Sequence, residues 1–480
     1  MSVHTSLAST GQRTEIGLAW RWIAVLLPGL LVYFIPFAGL EPIPRHVLAF
    51  FIATILALVA QPVPMGVSVL IAMTGLVLTG TLTAPAVLSG FSDPTVWLIF
   101  TAFLFSRAVT STNLGLRVAY FFINRFGFNA LTLGYSIGCS DLVLAPFVPS
   151  DTARGGGIVC PITLSVAEVL GSKPGTPSGR MGGFLVLVAF HTTYIASAMF
   201  LTGMASNPLL ADFAFKLGRV ELTWIRWFVA AAVPGFLSLL IVPLVIYCLY
   251  HPRLTNTDAA REHAQAELHR MGRLSGKESR LAVIMIAVMA GWITAPWHHI
   301  PNAFVALAGV CAILITRVLS WSDLLGESKA WDALIWFAPL IMMAGELTRR
   351  GVTQTLSQSF FGYTRALPWL LGLLCLVIAY LYLHYGFASM TAQITALYPG
   401  FFAAALATGA PPLICALALA YFSNLNAGIT HYGTGSAPVY FGTRYVSQKD
   451  WWRVGFVLSL VNLAIWFGIG MFWWKIIRFW

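Results

Sequence analysis

Charge is sparse in this sequence. Asp, Glu, Lys and Arg together make up 9% of 480 residues, and the acidic pair supplies only 17 of them. A soluble domain carries about 25% charged residues, so a soluble globular fold is excluded. Cysteines are also few. The six (Cys139, Cys160, Cys248, Cys311, Cys375 and Cys415) are scattered through apolar sequence without a CxxC pair. That excludes a disulfide frame and gives no metal motif, and buried small side chains are the expectation. No HExxH or HxxxxD pattern occurs, and His191, His384 and His431 stand far apart in the chain. An enzyme gathering His and carboxylates at one membrane face is therefore not expected. The first 15 residues are polar and lack the apolar core of a signal peptide.

What is abundant is hydrophobicity, at 58% of residues with a mean hydropathy of +0.80. Apolar runs of about 20 residues recur, the length a helix needs to cross the hydrocarbon core. "WIAVLLPGLLVYFIPFAGL" opens the series and "VGFVLSLVNLAIWFGIGMFWW" closes it. The sequence predicts an all-α integral membrane protein of about eleven transmembrane helices.

The net charge of +11 is explained first by the preference of basic residues for cytoplasmic loops. Arg253, Arg261, Arg270, Arg273, Lys277 and Arg280 share one central loop, which is taken as a cytoplasmic linker over residues 251–280. Working outward from it puts the N-terminus in the cytoplasm. Arg117, Arg125, Lys173, Arg180, Arg444, Lys449 and Arg453 then fall inside, while Arg349, Arg350 and Arg365 fall outside as exceptions. No nucleic-acid partner is required. A bacterial inner membrane is the expected location.

The linker divides the chain near its middle, and the halves repeat. "DPTVWLIF" at Asp93 resembles "DALIWFAP" at Asp332, and "PSDTA" at 149–153 lies over "ASMTA" at 388–392. Both matches share one offset of 239 residues, which places Ser150 on Ser389 and Thr152 on Thr391. The charge map gives the halves, 1–250 and 281–480, opposite orientations, as in inverted-repeat transporters. Asp93 and Asp332, each just before an apolar run, are expected to cap helices at a membrane face. His298 and His299 are expected in a surface loop.

Each half is interrupted twice by residues that helices avoid. "PSDTARGGG" at 149–157 sits between apolar arms too short for two full spans, and the segment around Ser389 matches it. Re-entrant hairpins are expected over about 129–170 and 368–408. "TGMASNPLL" at 202–210 and "SNLNAGITHYGTGSAP" at 423–438 place Gly, Asn, Ser and Pro where helices should continue. Broken helices are expected over about 183–215 and 411–442. Irregular backbone at membrane depth survives only when buried in protein or lining a wet cavity. Half-helix N-termini present free N–H groups and partial positive charge, which suit anions. Four such elements meeting at mid-membrane would bind a small anion, with unwound carbonyls free for a cation. Individually, Ser150, Thr152, Ser389 and Thr391 could instead bond back to helix carbonyls. Asn207 and Pro208 could form an ordinary kink, and His431 and Tyr432 could serve packing. Arg154 is costly at this depth, so it is either a functional charge or the partner of a carboxylate such as Glu168 or Asp151.

"PSDTARGGGIVCPI", "TGMASNPL", "HYGFASMTAQITAL" and "HYGTGSAPVYFGTRYVSQKDWW" resemble motifs of the divalent anion:sodium symporter family. The branch they are most similar to holds the bacterial citrate, tartrate and succinate exchangers and the plastid 2-oxoglutarate/malate translocators. The resemblance implies an elevator-type homodimer with two re-entrant hairpins in inverted repeats. It carries C4–C6 di- or tricarboxylates by alternating access, as sodium symporter or anion exchanger. An anion channel, or a carrier of an inorganic dianion such as sulfate, is the alternative. The implied substrate set is Ser150, Asp151, Thr152, Asn207, Pro208, Ser389, Met390, Thr391 and Thr434. The implied cation set is Ser150, Asp151, Gly203, Ser206, Ser389, Gly435, Ser436 and Ala437, where Na+ would be the coupling ion. Arg154 would tune the charge.

Two positions depart from the family signature. Asp151 stands where the family has Asn. Two like charges at ~4 Å and an effective dielectric of about 20 cost roughly 4 kcal/mol, so Asp151 must pair with Arg154 or a cation, take up a proton, or point away from the substrate. Met390 replaces an amide in the second signature and puts a full set of sodium sites in doubt.

Overall fold

A computed structural model describes residues 4–36, 40–176, 178–252, 256–352, 355 and 367–480, with side chains from Ala19 onward. Arg253 and Arg365 of the charge map lie outside the described residues. The described elements are helical throughout. Nine of their helices are long and apolar enough to cross a membrane.

The first half runs α1 (His4–Phe34), α2 (Pro42–Ala60), α3 (Met65–Leu78), α4 (Ala84–Leu88), α5 (Pro94–Thr112) and α6 (Leu114–Phe126). It continues through α7 (Ala130–Leu144), a π-helical stretch (Thr152–Val159) leading into α8 (Cys160–Val169), α9 (Gly179–Met199), α10 (Asn207–Gly218) and α11 (Trp224–Leu249). A polar helix, α12 (Asp258–Met271), follows. The second half runs α13 (Gly276–Ile293), α14 (Ala295–His298), α15 (Asn302–Ile315), α16 (Trp321–Leu325) and α17 (Ser328–Arg349). Then come α18 (Trp369–Leu383), α19 (Met390–Ala407), α20 (Pro412–Leu425), α21 (Ala437–Gly442), α22 (Gln448–Asn462), a second π stretch (Leu463–Ile469) and α23 (Gly470–Ile476).

Local chemistry sets the boundaries. Asp93 caps α5 by accepting from the Thr95 amide at 2.9 Å, with Pro94 at the first helical position. Asn129 and Thr132 close a capping box on α7, and Ser275 and Glu278 close one on α13. Asp332 corrects the expectation drawn from the repeat. α17 starts four residues earlier, so Asp332 lies inside it and caps nothing. His298 and His299 end a single helical turn at the surface. The cysteines also differ from expectation. Cys160 and Cys415 are buried, whereas Cys139, Cys248, Cys311 and Cys375 are exposed; all six are free thiols.

The repeat extends beyond the stretches that betray it in sequence. α2, α3, α4 and α5 are 19, 14, 5 and 19 residues long, and α13, α15, α16 and α17 are 18, 14, 5 and 22. A helical hairpin, an interrupted helix and a long helix then follow in each half. At the centre, α9 is buried from Met181 to Met199 and packs against α20. Both arms of the first hairpin, α7 and α8, lie on α9, and both arms of the second, α18 and α19, lie on α20. Large apolar side chains such as Leu30, Ile286, Phe304 and Phe472 are exposed on the periphery, where a bilayer supplies their apolar surroundings. The basic linker is largely helical. α12 packs on α6 and α8, the His263 ring bonds Ser165 of α8 at 2.8 Å, and Arg117 of α6 pairs with Glu278 at 2.9 Å.

Candidate functional site

Two tips and two helix breaks meet beside the α9–α20 pair. The first tip spans residues 145–151, between α7 and the π stretch. Pro146 and Pro149 suit it, because neither can donate a backbone hydrogen bond. Ser150 Oγ accepts from the Ala153 amide at 3.1 Å, satisfying one of the free donors where the second arm begins. Within the Gly run, Gly155 is the one that close packing requires. A Cβ on Gly155 would sit 2.8 Å from Thr193 Cγ2, and one on Gly156 would sit 3.4 Å from Val439. The second tip ends in Ser389, which caps α19 through the Ala392 amide at 3.3 Å.

The breaks follow the same plan. α9 stops at Met199 and α10 begins at Asn207; α20 and its trailing 3-10 turn stop at Ile429 and α21 begins at Ala437. Gly203, Ser206 and Pro208 align with Gly433, Ser436 and Pro438 at an offset of 230. A Cβ at Gly203 would meet Ser197 O at 2.6 Å, and one at Gly433 would meet Ala427 O at 2.9 Å. Both turns therefore exclude a side chain. Asn207 Nδ2 donates to Ser197 O and Phe200 O, both at 2.9 Å, and so satisfies carbonyls that the break leaves open.

The halves are joined crosswise. Thr391 of the second hairpin shares a 2.8 Å hydroxyl bond with Ser206 of the first break. Asp151 of the first tip accepts from Thr434 Oγ1 and from Ser436 Oγ at 3.2 Å, both in the second break. Thr152 lies against Gly435, where a Cβ would come within 2.4 Å of its hydroxyl. The structure thus brings Ser150, Asp151 and Thr152 together with Thr434, Gly435 and Ser436, and Thr391 together with Ser206. Pro208 and Ala437 are buried in the first turns of α10 and α21. Met390 is buried in the apolar core. Ser150, Thr152, Ser389 and Thr391 keep partial exposure.

Arg154 is placed differently from expectation. It contacts neither Asp151 nor Glu168. Its partner is Asp141 of α7, at 2.7 Å, and both side chains are fully buried. The remaining donors reach Val148 O (2.8 Å), Gly203 O (3.1 Å), Thr193 O (3.0 Å) and Ser197 Oγ (2.7 Å). Among the described residues Asp151 has no ion-pair partner.

His384 is a central residue that sequence reasoning passed over. It is fully buried at the end of the first arm of the second hairpin. Its Nδ1 lies 2.7 Å from Gln393 Oε1 and its Nε2 lies 2.7 Å from Gly433 O. Gln393 Nε2 donates to Tyr380 O at 2.7 Å, which fixes the orientation of that amide. Both ring nitrogens therefore face acceptor oxygens, one on the second hairpin and one in the second break. His384 opens the motif HYGFASMTAQITAL, but nothing local names its partner Gly433, 49 residues away.

Two smaller points close the inventory. Gly134-Tyr135-Ser136-Ile137-Gly138 has the GxSxG spacing of a hydrolase nucleophile turn, but it lies within α7, and Ser136 Oγ is spent on Thr132 O at 2.8 Å. His431 and Tyr432 serve packing. His431 accepts from Trp452 Nε1 at 3.0 Å, and Tyr432 donates to Tyr385 O at 3.0 Å.

The two breaks differ in exposure. Ser206, Asn207, Pro208 and Leu209 are buried, whereas Gly435, Pro438 and Val439 are exposed. The second break is thus the more exposed of the two.

Residues 17–480 match the family described as "Sodium:sulfate symporter transmembrane region". The chain is 43% identical to "Putative malate transporter YflS" of Bacillus subtilis, over 98% of each chain. It is 41% identical to "Dicarboxylate transporter 1, chloroplastic" of Arabidopsis thaliana, over 95% of this chain and 83% of that one. Among solved structures it is similar in fold to the Alcanivorax borkumensis YdaH transporter, with a TM-score of 0.58, 17% identity, and coverage of 81% of this chain and 86% of that one.

Proposed function

This chain belongs to the sodium:sulfate symporter family, and we propose that it is a dicarboxylate exchanger working by alternating access. The relatives named above support the substrate class. They are transporters by name, and the chain is read as a carrier rather than an enzyme. The observation that carries exchange rather than sodium symport is the matched pair of carbonyls in the two breaks. Gly203 O accepts from the guanidinium of Arg154, and its counterpart Gly433 O accepts from the ring of His384. Carbonyls of unwound helices are the groups that would hold a coupling sodium. Here each is already taken by a donor from a buried side chain, and at Gly203 O a sodium ion would also meet the like charge of the guanidinium. The residues present therefore do not fit a sodium ion at these two carbonyls.

In this reading a C4–C6 dicarboxylate lies between the tips at Ser150, Thr152, Ser389, Thr391 and Thr434. Its negative charge is met by hydroxyls and half-helix N-termini. Asp151 has its charge spread over Thr434 and Ser436 and faces them rather than the ligand. With no coupling ion to leave or rebind, the empty site keeps hydroxyls and helix N–H groups that another anion satisfies. Return with a second anion bound makes the carrier an exchanger. The unequal exposure of the two equivalent breaks supports alternating access, with the opposite arrangement reached when the body formed by α9, α10, α20, α21 and the hairpins shifts past α5 and α17. The proposal includes re-entrant hairpins over about 129–170 and 368–408, halves 1–250 and 281–480 in inverted orientation, and an elevator homodimer. It also includes a bacterial inner-membrane location with the N-terminus in the cytoplasm.

The site is tested by ligand-induced stabilisation of the purified protein. Succinate or malate raises the unfolding midpoint, and lactate at equal concentration does not. Thr152→Ala and Thr391→Ala each weaken the dicarboxylate effect by ~1–3 kcal/mol of binding, the range for a hydrogen bond to a charged group. Unchanged affinity in both variants would remove these hydroxyls from the site.

A further inference from the structure

The exposure difference between the breaks has a counterpart in ion pairing. Lys216, near the end of α10, reaches Asp93 Oδ2 at 3.2 Å, Asp212 Oδ2 at 2.9 Å and Ile341 O at 3.2 Å. Asp212 is on its own helix. Asp93 and Ile341 are not: Asp93 caps α5, and Ile341 lies in α17. α10 packs against both of those helices. The contact is partly shielded, with Lys216 and Asp93 side chains 19% and 21% exposed. In the second half, α21 is the counterpart of α10, and its main packing is on the π stretch and α9. Asp332 matches Asp93 in the repeat and is exposed, and Arg444, just past the end of α21, is exposed as well. Neither has an ion-pair partner among the described residues. Arg444 also marks the repeat in its backbone. It is left-handed, with φ +60°, as is Arg219 at the end of α10, with φ +55°. Lys216 stands one turn before that mark.

We propose that Lys216 and Asp93 form a latch holding the facing state seen here, and that Arg444 and Asp332 form its mirror in the opposite state. The inference rests on the alternating-access reading above. Each latch joins the broken-helix body to the first turns of α5 or α17, and neither can close while the other is closed. Substrate movement then exchanges one ion pair for the other. The charges near the first latch are net negative, two carboxylates to one ammonium, so Asp93 can release Lys216 and leave it paired with Asp212. Asp93, already partly exposed, is left to water when the latch opens.

The test is sided exchange of labelled succinate by the full chain in oriented proteoliposomes. Half-saturation is measured separately for substrate on the two faces. Lys216→Gln raises the value about fivefold on the face to which this structure opens, and lowers it on the other. Asp332→Asn, at a side chain without an ion-pair partner here and so expected to fold normally, does the reverse. Equal shifts on both faces, or no shift in either variant while exchange persists, overturns the latch. Absence of exchange in the unaltered chain overturns the transport reading itself, and is told apart by that control.

Discussion

Replacing Arg154 with glutamine is expected to cost about 3–5 kcal/mol of stability, the range for breaking a buried ion pair by removing one partner. The guanidinium is fully buried and donates five hydrogen bonds. Its removal strands the buried Asp141 carboxylate and unpairs Val148 O in the tip and Gly203 O in the first break. Arg154→Lys is expected to be nearly as damaging, since a compact ammonium on a flexible stem cannot span five diverging acceptors. Asp141→Asn combined with Arg154→Gln removes both charges and regains part of the loss. Thermal unfolding of the purified variants in one detergent measures this. A midpoint for Arg154→Gln within a degree or two of the parent would show that the network does not hold the tip.

The second large effect belongs to His384. Its ring is fully buried and bridges Gln393 of α19 and the Gly433 carbonyl of the second break. His384→Ala leaves Gly433 O without its donor and opens a hole beside the second tip, and a buried polar group left unpaired costs about 1–3 kcal/mol. Thermal unfolding of the purified variant and titration with succinate measure the loss. A midpoint and an affinity both equal to those of the parent would show that the ring does not hold the break.

The hairpin tips and breaks were legible because Gly, Ser, Asn and Pro inside apolar runs leave few alternatives at membrane depth. The pairing of Ser150 with Ser389 and of Thr152 with Thr391 followed from one offset. The breaks escaped that alignment, since the connection between hairpin and broken helix differs in length between the halves, and Gly203 meets Gly433 at 230 rather than 239. Asp332 misled for a related reason. Its motif matches that of Asp93, but α17 extends one turn further at its start. Arg154 was assigned the wrong partner because Glu168 and Asp151 are the obvious carboxylates nearby. In the folded hairpin, residues 141 and 154 are equidistant from a turn at 147–148, so Asp141 faces Arg154 across the tip. The contacts of His384 with Gly433 and of Asp151 with Thr434 were not legible. They join segments 49 and 283 residues apart, and neither end carries a local pattern naming the other.

The central claim is that Arg154 and His384 occupy the carbonyls a coupling sodium would use, and one transport experiment tests it directly. Purified protein is placed in liposomes, either empty or loaded with unlabelled succinate, and uptake of labelled succinate is followed with and without an inward sodium gradient. The account predicts uptake into loaded vesicles only, at a rate indifferent to sodium. Sodium-driven accumulation in empty vesicles would contradict it and return the two breaks to the role of sodium sites.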